Sequence, residues 1–300
     1  MRSSNHSIEK YKNKQIAVIA GGVSSERDIS LKSAENVTAS LINMGLNAIQ
    51  LDPKDHHFFS STFDIAFNCM HGKWGEDGGI QGYCELKQIP YTGPGILPTS
   101  IGLNKPFFKT IIKDCGIPVP KTMTDTSTFP FIVKPVSEGS SIGITLIKNR
   151  SDWDQFSAQH PNEDTQQYFY EEYLTGQEIT SGVIEIDEKA TVLPILEIKT
   201  SNEFLDFDAK YTPGKETFIL PANISLEIQH KVESISKTIY QFFNCKGCIR
   251  IDFIIHNGEP KVLEMNTNPG LTKLSYIPFQ AKAMGIEFDD LMIHYLNSAK

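Results

Sequence analysis

The chain has 300 residues, of which 40% are hydrophobic and 21% are charged, and its formal net charge is −8. This length and composition allow two or three buried cores, and the acidic balance argues against a nucleic-acid partner. No apolar run approaches the roughly 20 residues that a membrane span needs, and the first 14 residues form a polar tail that lacks the apolar segment of a signal peptide.

The first hundred residues alternate between predicted strands and helices. QIAVIAGG (15–22) is a short apolar run closed by two glycines, which predicts a buried strand and a turn. Residues 24–45 predict a helix, because apolar residues recur at helical spacing and Gly45 is placed to end it. LNAIQLD and FDIAFNCMHG predict two more strands. This β-α-β order predicts a small parallel sheet with flanking helices.

The middle of the chain begins with GPGILPTSIGL (93–103), whose Gly and Pro content is typical of a crossing between domains. NKPFFKTIIKDCG predicts a helix, and FPFIVKPVSEGSSIGITLI predicts two strands joined by a Gly-Ser loop. YFYEEYLTGQEITSGVIEI is mostly strand by its alternation, and strands dominate to about Glu197.

The last part of the chain predicts a helix, a hairpin and a short terminal helix. SLEIQHKVESISKTIYQFF places Ile228, Val232, Ile235 and Ile239 on one helical stripe. CIRIDFIIHNGEPKVLEMNTNPG predicts a β-hairpin that turns at the Asn-Gly pair.

Two motifs of this region indicate chemistry. The loop KPVSEGSSIG could cradle a phosphate with its backbone N–H groups, although a plain hairpin loop has the same composition. In the hairpin, a two-residue turn would separate the polar faces, whereas a three-residue turn (257–259) sets Asp252 opposite Glu264 and Arg250 opposite Asn266. We expect the three-residue turn. Two carboxylates and an amide oxygen at one place suit Mg²⁺, and a solvated polar sheet face is the alternative.

The five cysteines include one C-x-x-C pair, Cys245 and Cys248. Zinc sites usually combine two such pairs, or one pair with histidines, and no such partner is visible. The pattern favours ordinary thiols in a reducing compartment over a zinc or redox motif.

Together, Lys105, Lys134, EGSSIG, EEYLTGQE, IRIDF and LEMNTNPG resemble the ATP-grasp superfamily. GGVSSERDISL, HGKWGEDGGIQG and DAKYTPG narrow the resemblance to the D-alanine–D-alanine ligase family, over nearly the whole chain beyond the polar tail. The resemblance implies an α/β fold, α+β in its ATP-binding part, with ATP between the central and C-terminal sheets. It implies three domains: an N-terminal domain at 15–95, a central one at 96–181 and a C-terminal one at 182–300.

The resemblance also implies a reaction. The carboxylate of one D-alanine attacks the γ-phosphate of ATP, which gives an acylphosphate and ADP, and the amine of a second D-alanine then displaces phosphate. The residues matched to ATP binding are Lys105, Lys134, Glu138, Gly139, Ser140, Ser141, Glu171, Leu174, Glu178 and Lys210. The residues matched to two Mg²⁺ or Mn²⁺ ions are Asp252, Glu264 and Asn266.

The substrate side is matched in the same way. Arg250, with the backbone N–H of Gly270, matches the group that stabilises the tetrahedral oxyanion, and Ser275 matches the group that binds the second carboxylate. The remaining matches are Glu26 for the first ammonium, His71 near the first carboxylate, the set Glu26–Ser140–Tyr211, and the loop that carries Lys210 and Tyr211. Relatives that make a D-lactate ester carry His where Tyr211 stands, so Tyr211 favours D-alanine as the second substrate.

The resemblance further implies a homodimer in the bacterial cytoplasm that supplies peptidoglycan precursors. Three alternatives stay open at this point: an ATP-grasp ligase of another carboxylate and amine, or a D-alanine–D-lactate ligase; a non-catalytic ATP-binding module; and a dehydrogenase that opens with IAVIAGG. The substrate-side residues argue against the first, the complete metal and oxyanion set against the second, and the missing third glycine against the third.

Overall fold

The computed structural model describes residues 8–160, 167–200 and 216–299, which form three sheets with helices packed around them. The helices are α1 (Arg27–Asn43), α2 (Gly79–Lys87), α3 (Ile96–Leu103), α4 (Lys105–Asp114), α5 (Arg150–Gln159), α6 (Leu226–Phe242), α7 (Tyr276–Ala283) and α8 (Phe288–Asn297). The strands are β1 (Gln15–Ile19), β2 (Asn47–Leu51), β3 (Ile65–Asn68), β4 (Phe131–Pro135), β5 (Thr145–Ile147), β6 (Tyr168–Glu172), β7 (Gln177–Ile186), β8 (Lys189–Val192), β9 (Leu196–Thr200), β10 (Glu216–Ile219), β11 (Cys248–His256) and β12 (Glu259–Asn266).

The N-terminal sheet has the parallel order β2-β1-β3, as the β-α-β pattern predicts. Residues 16–19 are fully buried because β1 is central and covered on both faces. Helix α1 buries Val37 and Leu41, and Gly45 follows its end with φ +78°. The predicted elements of this part are confirmed.

The central sheet is antiparallel, with order β5-β4-β6, and it confirms the predicted pair of strands around the Gly-Ser loop. The Gly and Pro content of residues 93–103, which precede this sheet, suggests a loop. Instead, α3 occupies most of this segment. Pro98 lies in the first turn of α3, where a missing N–H breaks no helical hydrogen bond. Helix α4 begins where predicted, with Asn104 accepting a hydrogen bond from the Phe107 N–H.

The C-terminal sheet has six antiparallel strands, in the order β10-β9-β7-β11-β12, with β8 paired to β7. Helix α6 covers it with the predicted stripe, in which Val232 and Ile239 are fully buried. The expected single terminal helix is wrong: α7 and α8 are separate helices, and Gly285 lies between them with φ +83°.

The C-terminal helices also pack on the N-terminal sheet. Tyr295 of α8 stacks on Phe67 of β3 with ring centroids 5.6 Å apart, and Cys248 of β11 joins the same buried cluster. The predicted domain boundaries therefore cut through a shared core. The second boundary, between residues 181 and 182, lies within β7. The three-domain division stays a prediction.

Cys245 and Cys248 are free and buried, and burial raises the pKa of each thiol to about 12. Burial therefore disfavours the thiolate form that metal binding and redox exchange require. Within the three described ranges, no helix is both long and apolar enough to cross a membrane.

Candidate active site

The loop between β4 and β5 closes against the N-terminus of α1. Ser140 donates a hydrogen bond to Glu26, and the Ser25 hydroxyl donates to Glu138 Oε2 at 2.9 Å. A Cβ on Gly139 would lie 2.3 Å from Glu26 Oε2, so only glycine allows this approach. The Glu26 side chain is 7% exposed although it carries a carboxyl group. The predicted pairing of Glu26 with Ser140 is therefore present.

The backbone of this loop turns through left-handed conformations at Ser140 and Ser141, with φ of +52° and +58°. Such conformations cost about 1–3 kcal/mol each in a non-glycine residue and persist where surrounding contacts hold them. Lys105 supplies one contact, since its ammonium donates a hydrogen bond to the Glu138 carbonyl. The loop is thus held from both sides.

The β11–β12 hairpin brings the predicted polar groups together by a route other than the expected one. The turn has two residues, because His256 pairs with Glu259, so the three-residue turn is wrong. A β-bulge at Asp252/Phe253 then leaves Leu263 without a partner in the ladder and shifts the register by one residue. Beyond the bulge, Asp252 faces Glu264 and Arg250 faces Asn266, as expected.

Arg250 is held by charge and by an aromatic ring. Its Nε and Nη2 donate to the two Asp252 oxygens at 2.8 and 2.7 Å, and its guanidinium lies 5.3 Å from the centre of the Tyr276 ring. Burial alone would lower the pKa of Arg250, but the charge and hydrogen bonds of Asp252 raise it. The Thr180 hydroxyl also donates to Asp252 at 2.6 Å. A permanent cation is therefore fixed beside the hairpin.

Three lysines lie around two glutamates in the middle of the site. The Lys105 ammonium is 3.4 Å from Glu264 Oε2, and the Lys134 ammonium is 2.8 Å from Glu171 Oε2. Glu171 is fully buried and also accepts a hydrogen bond from Lys109, whose position the sequence reading missed. Its predicted contact with adenosine stays a prediction.

Two adjoining cavities are built from these groups. The first, of about 300 Å³, lies between the central and C-terminal sheets and is bordered by Lys134, Ser141, Glu171, Leu174, Glu178 and Asp252. The second, of about 470 Å³, reaches the N-terminal domain and is bordered by Glu26, His71, Glu138, Gly139, Ser140, Arg250, Asn266, Gly270 and Ser275. Lys105 and Glu264 border both cavities, so they mark where the two meet.

The second cavity also contains a carboxyl group that sequence reasoning missed. Glu76 accepts hydrogen bonds from the backbone N–H groups of Gly72 at 2.8 Å and Asn268 at 3.2 Å. Burial and the nearby charge of Glu26 raise its pKa to about 8. Its only sequence signal is a carboxylate within HGKWGEDG, which surface residues share.

Other predicted residues of the second cavity are placed as follows. His71 is buried, burial lowers its pKa, and its Nε2 has no hydrogen-bond partner among the described residues. Ser275 precedes α7 and accepts a hydrogen bond from the Thr272 N–H at 3.0 Å. The predictions for Lys210 and Tyr211 lie outside the described residues.

Comparison with known proteins decides the family. The model of the D-ala D-ala ligase C-terminus matches residues 97–297, and that of the N-terminus matches residues 45–94. The chain belongs to the D-alanine–D-alanine ligase family. Members of this family are ATP-dependent ligases with the ATP-grasp fold, and this chain is one of them, as its motifs indicate.

Relatives match almost end to end. The D-alanine–D-alanine ligase of Carboxydothermus hydrogenoformans is 36% identical over 93% of this chain and 96% of that protein. The one of Geotalea uraniireducens is 36% identical over 97% of both. Among solved structures, the Bacillus anthracis D-alanine–D-alanine ligase complexed with ATP is 28% identical, with a TM-score of 0.81 over 95% of this chain and 96% of that one. The VanG D-Ala:D-Ser ligase of Enterococcus faecalis is also 28% identical, with a TM-score of 0.78 over 95% and 99%.

The hairpin of this family member offers a donor set that suits a divalent cation. Asp252 and Glu264 are directly paired, and Asn266 lies two residues along the same face. Carboxylate and amide oxygens are the ligands that Mg²⁺ and Mn²⁺ prefer. No cluster of three or more His, Cys, Asp or Glu side chains suited to a metal occurs in the described ranges, so the set needs oxygens from elsewhere, such as phosphates. The residues fit a nucleotide-bound ion.

Proposed function

We propose that the chain joins two D-alanine molecules at the expense of ATP, through a D-alanyl phosphate. The observation that carries this proposal is the meeting of the two cavities at Lys105 and Glu264. ATP lies in the first cavity and D-alanine in the second, so the γ-phosphate reaches the substrate carboxylate at their junction. Phosphoryl transfer needs this in-line approach and neutralisation of charge.

The residues of the chain divide the work between the two steps. Lys105 and Lys134 bind the phosphates, and Glu26 binds the ammonium of the first D-alanine. Arg250 and the Gly270 N–H stabilise the oxyanion when the second amine attacks. The hairpin carboxylates of Asp252 and Glu264 would hold Mg²⁺ or Mn²⁺, which would offset the charge that builds on the phosphates.

The second substrate is D-alanine in this proposal, and the protein works as a homodimer in the bacterial cytoplasm. The family resemblance supports each of these points, and the five free thiols are consistent with a reducing compartment. Size-exclusion chromatography with light scattering tests the dimer.

The test of function is ATP-dependent phosphate release, with mass spectrometry of the products. The substrates are D-alanine, L-alanine, and D-alanine mixed with D-lactate or D-serine. Release with D-alanine alone, giving the dipeptide, supports the proposal. A D-lactate or D-seryl product as the main one would change the second substrate, and no release with any of them would reject D-alanine.

Glu264→Gln tests the assignment of the metal site. The variant removes one of two paired carboxylate charges and keeps the shape of the side chain. We expect kcat to fall at least about 100-fold and the Mg²⁺ concentration for half-maximal activity to rise. Glu259→Gln, at the exposed turn of the same hairpin, is the matched control. Unchanged Mg²⁺ dependence in Glu264→Gln would contradict the assignment.

A further inference from the structure

Lys109 is a buried cation that the mechanism above does not use. It is 3% exposed, and its ammonium donates a hydrogen bond to Glu171. It lies on α4 one turn after Lys105, so both lysines share one face of the helix. Lys105 points to the junction of the cavities, whereas Lys109 lies behind the wall that Lys134 and Glu171 form in the first cavity.

The three side chains form a line of alternating charge. Lys109 contacts one oxygen of Glu171, and Lys134 contacts the other at 2.8 Å. Glu171 is fully buried, while Lys134 borders the nucleotide cavity. Two cations thus share one carboxylate. When all three groups are charged, the sum over Lys109, Glu171 and Lys134 is a net charge of +1 beside the cavity.

We propose that Lys109 is a positioning residue for nucleotide binding. It shares the Glu171 carboxylate with Lys134, so Glu171 does not fully neutralise Lys134, and the positive charge of Lys134 remains available to the phosphates of ATP. This inference rests on the proposed function, because it takes the first cavity as the nucleotide site. Without Lys109, Glu171 would pair with Lys134 alone, and the pair would be neutral. A neutral pair in a cavity of low dielectric attracts an anion far less than a cation does.

The environment of Lys109 supports a role that depends on Glu171. Burial lowers the pKa of Lys109 to about 7, and the charge of Glu171 acts in the opposite direction. Burial alone would raise the pKa of Glu171, but Lys109 and Lys134 together lower it. The Phe169 ring, 5.4 Å from the Lys109 ammonium, adds a favourable contact. Glu171 thus favours the charged form of Lys109, and the two lysines favour the charged form of Glu171.

The experiment uses ADP with Mg²⁺ and isothermal titration calorimetry on the full chain. In Lys109→Met we expect the Kd for ADP to rise about 10- to 100-fold, as loss of one nearby charge implies. The steady-state KM for ATP rises similarly, while the KM for D-alanine changes less than about twofold. The variant keeps the Glu171–Lys134 pair, so no buried charge is left alone. Lys113→Met, one turn further along α4 at an exposed position, is the matched control and binds ADP normally.

Lys109→Arg separates charge from packing. It keeps the positive charge beside Glu171, so we expect its Kd for ADP to stay within about fivefold of that of the starting protein. A Kd unchanged in Lys109→Met overturns the proposal. Equal increases in both KM values, with no recovery of the Kd in Lys109→Arg, also overturn it, since they indicate a structural role. If the unmodified protein binds no ADP, the proposed function fails as well.

Discussion

At the scale of single residues, the site is notable for ionisable side chains that are buried. Glu26, Glu76, Lys105, Lys109 and Glu171 are each at most 7% exposed, whereas charged side chains are rarely buried unless they are paired. Lys105, Lys109 and Glu171 have partners of opposite charge, and Glu26 accepts a hydrogen bond from Ser140. Glu76 accepts hydrogen bonds from the backbone N–H groups of Gly72 and Asn268 and lies near a second carboxylate, that of Glu26.

The stability of the protein should therefore depend on pH through Glu76. Burial first, and Glu26 second, raise the pKa of Glu76 from 4.5 to about 8 in the folded state. A raised pKa means that the folded state holds the proton more tightly than the unfolded state does. This stabilisation is complete below pH 4.5 and is lost as pH rises through about 8. We expect the free energy of unfolding to fall by at least about 1 kcal/mol between pH 6 and pH 9, measured by urea denaturation.

Glu76→Gln provides the comparison for this prediction. Its amide offers one acceptor to two backbone N–H groups, so we expect it to be less stable at pH 6 by about 1–3 kcal/mol. The amide at position 76 cannot ionise, so the free energy of unfolding of the variant should change less between pH 6 and pH 9. Parallel curves for the two proteins would show that another group causes the pH dependence.

At the scale of elements, local sequence predicted most strands and helices, and tertiary packing decided the remainder. The β-α-β start was predictable because its apolar spacing and glycines are local signals. Helix α3 was not, because its Gly and Pro content is typical of loops, and its buried face is defined only by packing. The hairpin face was predicted correctly from the wrong turn, since a bulge at Leu263 cannot be distinguished from a longer turn in the sequence.

The residues of the candidate site were likewise predictable only where they belong to a local motif. Motif residues such as Glu26 and Ser140 were predicted to meet, and they do. Lys109 and Glu76 were missed because each looks like a surface residue in the sequence. Lys109 is buried only where α4 meets β6, and Glu76 only where the loop after β3 meets the loop after β12. A buried contact between distant segments carries no local signal.

The loop between β4 and β5 gives a prediction at this scale. In Gly139→Ala the new Cβ would lie 2.3 Å from Glu26 Oε2, so either the loop or Glu26 must shift. A shift near 1 Å in a positioning group can reduce turnover about 100-fold. We expect kcat/KM for D-alanine to fall at least about 10-fold, with the melting temperature within a few degrees of the starting value. Ser137→Ala, at an exposed position of the same loop, should have little effect, and activity equal to the starting protein in Gly139→Ala would show that the loop tolerates displacement.

At the scale of the whole molecule, the site joins parts of the chain that have separate sheets. The first cavity lies between the central and C-terminal sheets, and the second includes the N-terminus of α1. Among the described residues, the central sheet has three strands and a small core of its own. Its attachment to the remainder therefore depends on contacts such as Lys261 with Glu172, at 2.9 Å, and on whatever fills the cavity.

A nucleotide in that cavity should consequently stabilise the protein as a whole. At 100 times its Kd, a ligand that binds only the folded state adds about 2.7 kcal/mol, which raises the melting temperature of a protein of this size by roughly 5–10 °C. We expect ADP with Mg²⁺ to produce such a rise in differential scanning fluorimetry, and EDTA to remove most of it. The change should be much smaller in Asp252→Asn, because that residue lies at the boundary of the cavity and belongs to the hairpin set. If EDTA leaves the rise in melting temperature intact, the nucleotide binds without the hairpin carboxylates and their metal. Nucleotide binding would then be independent of the metal site.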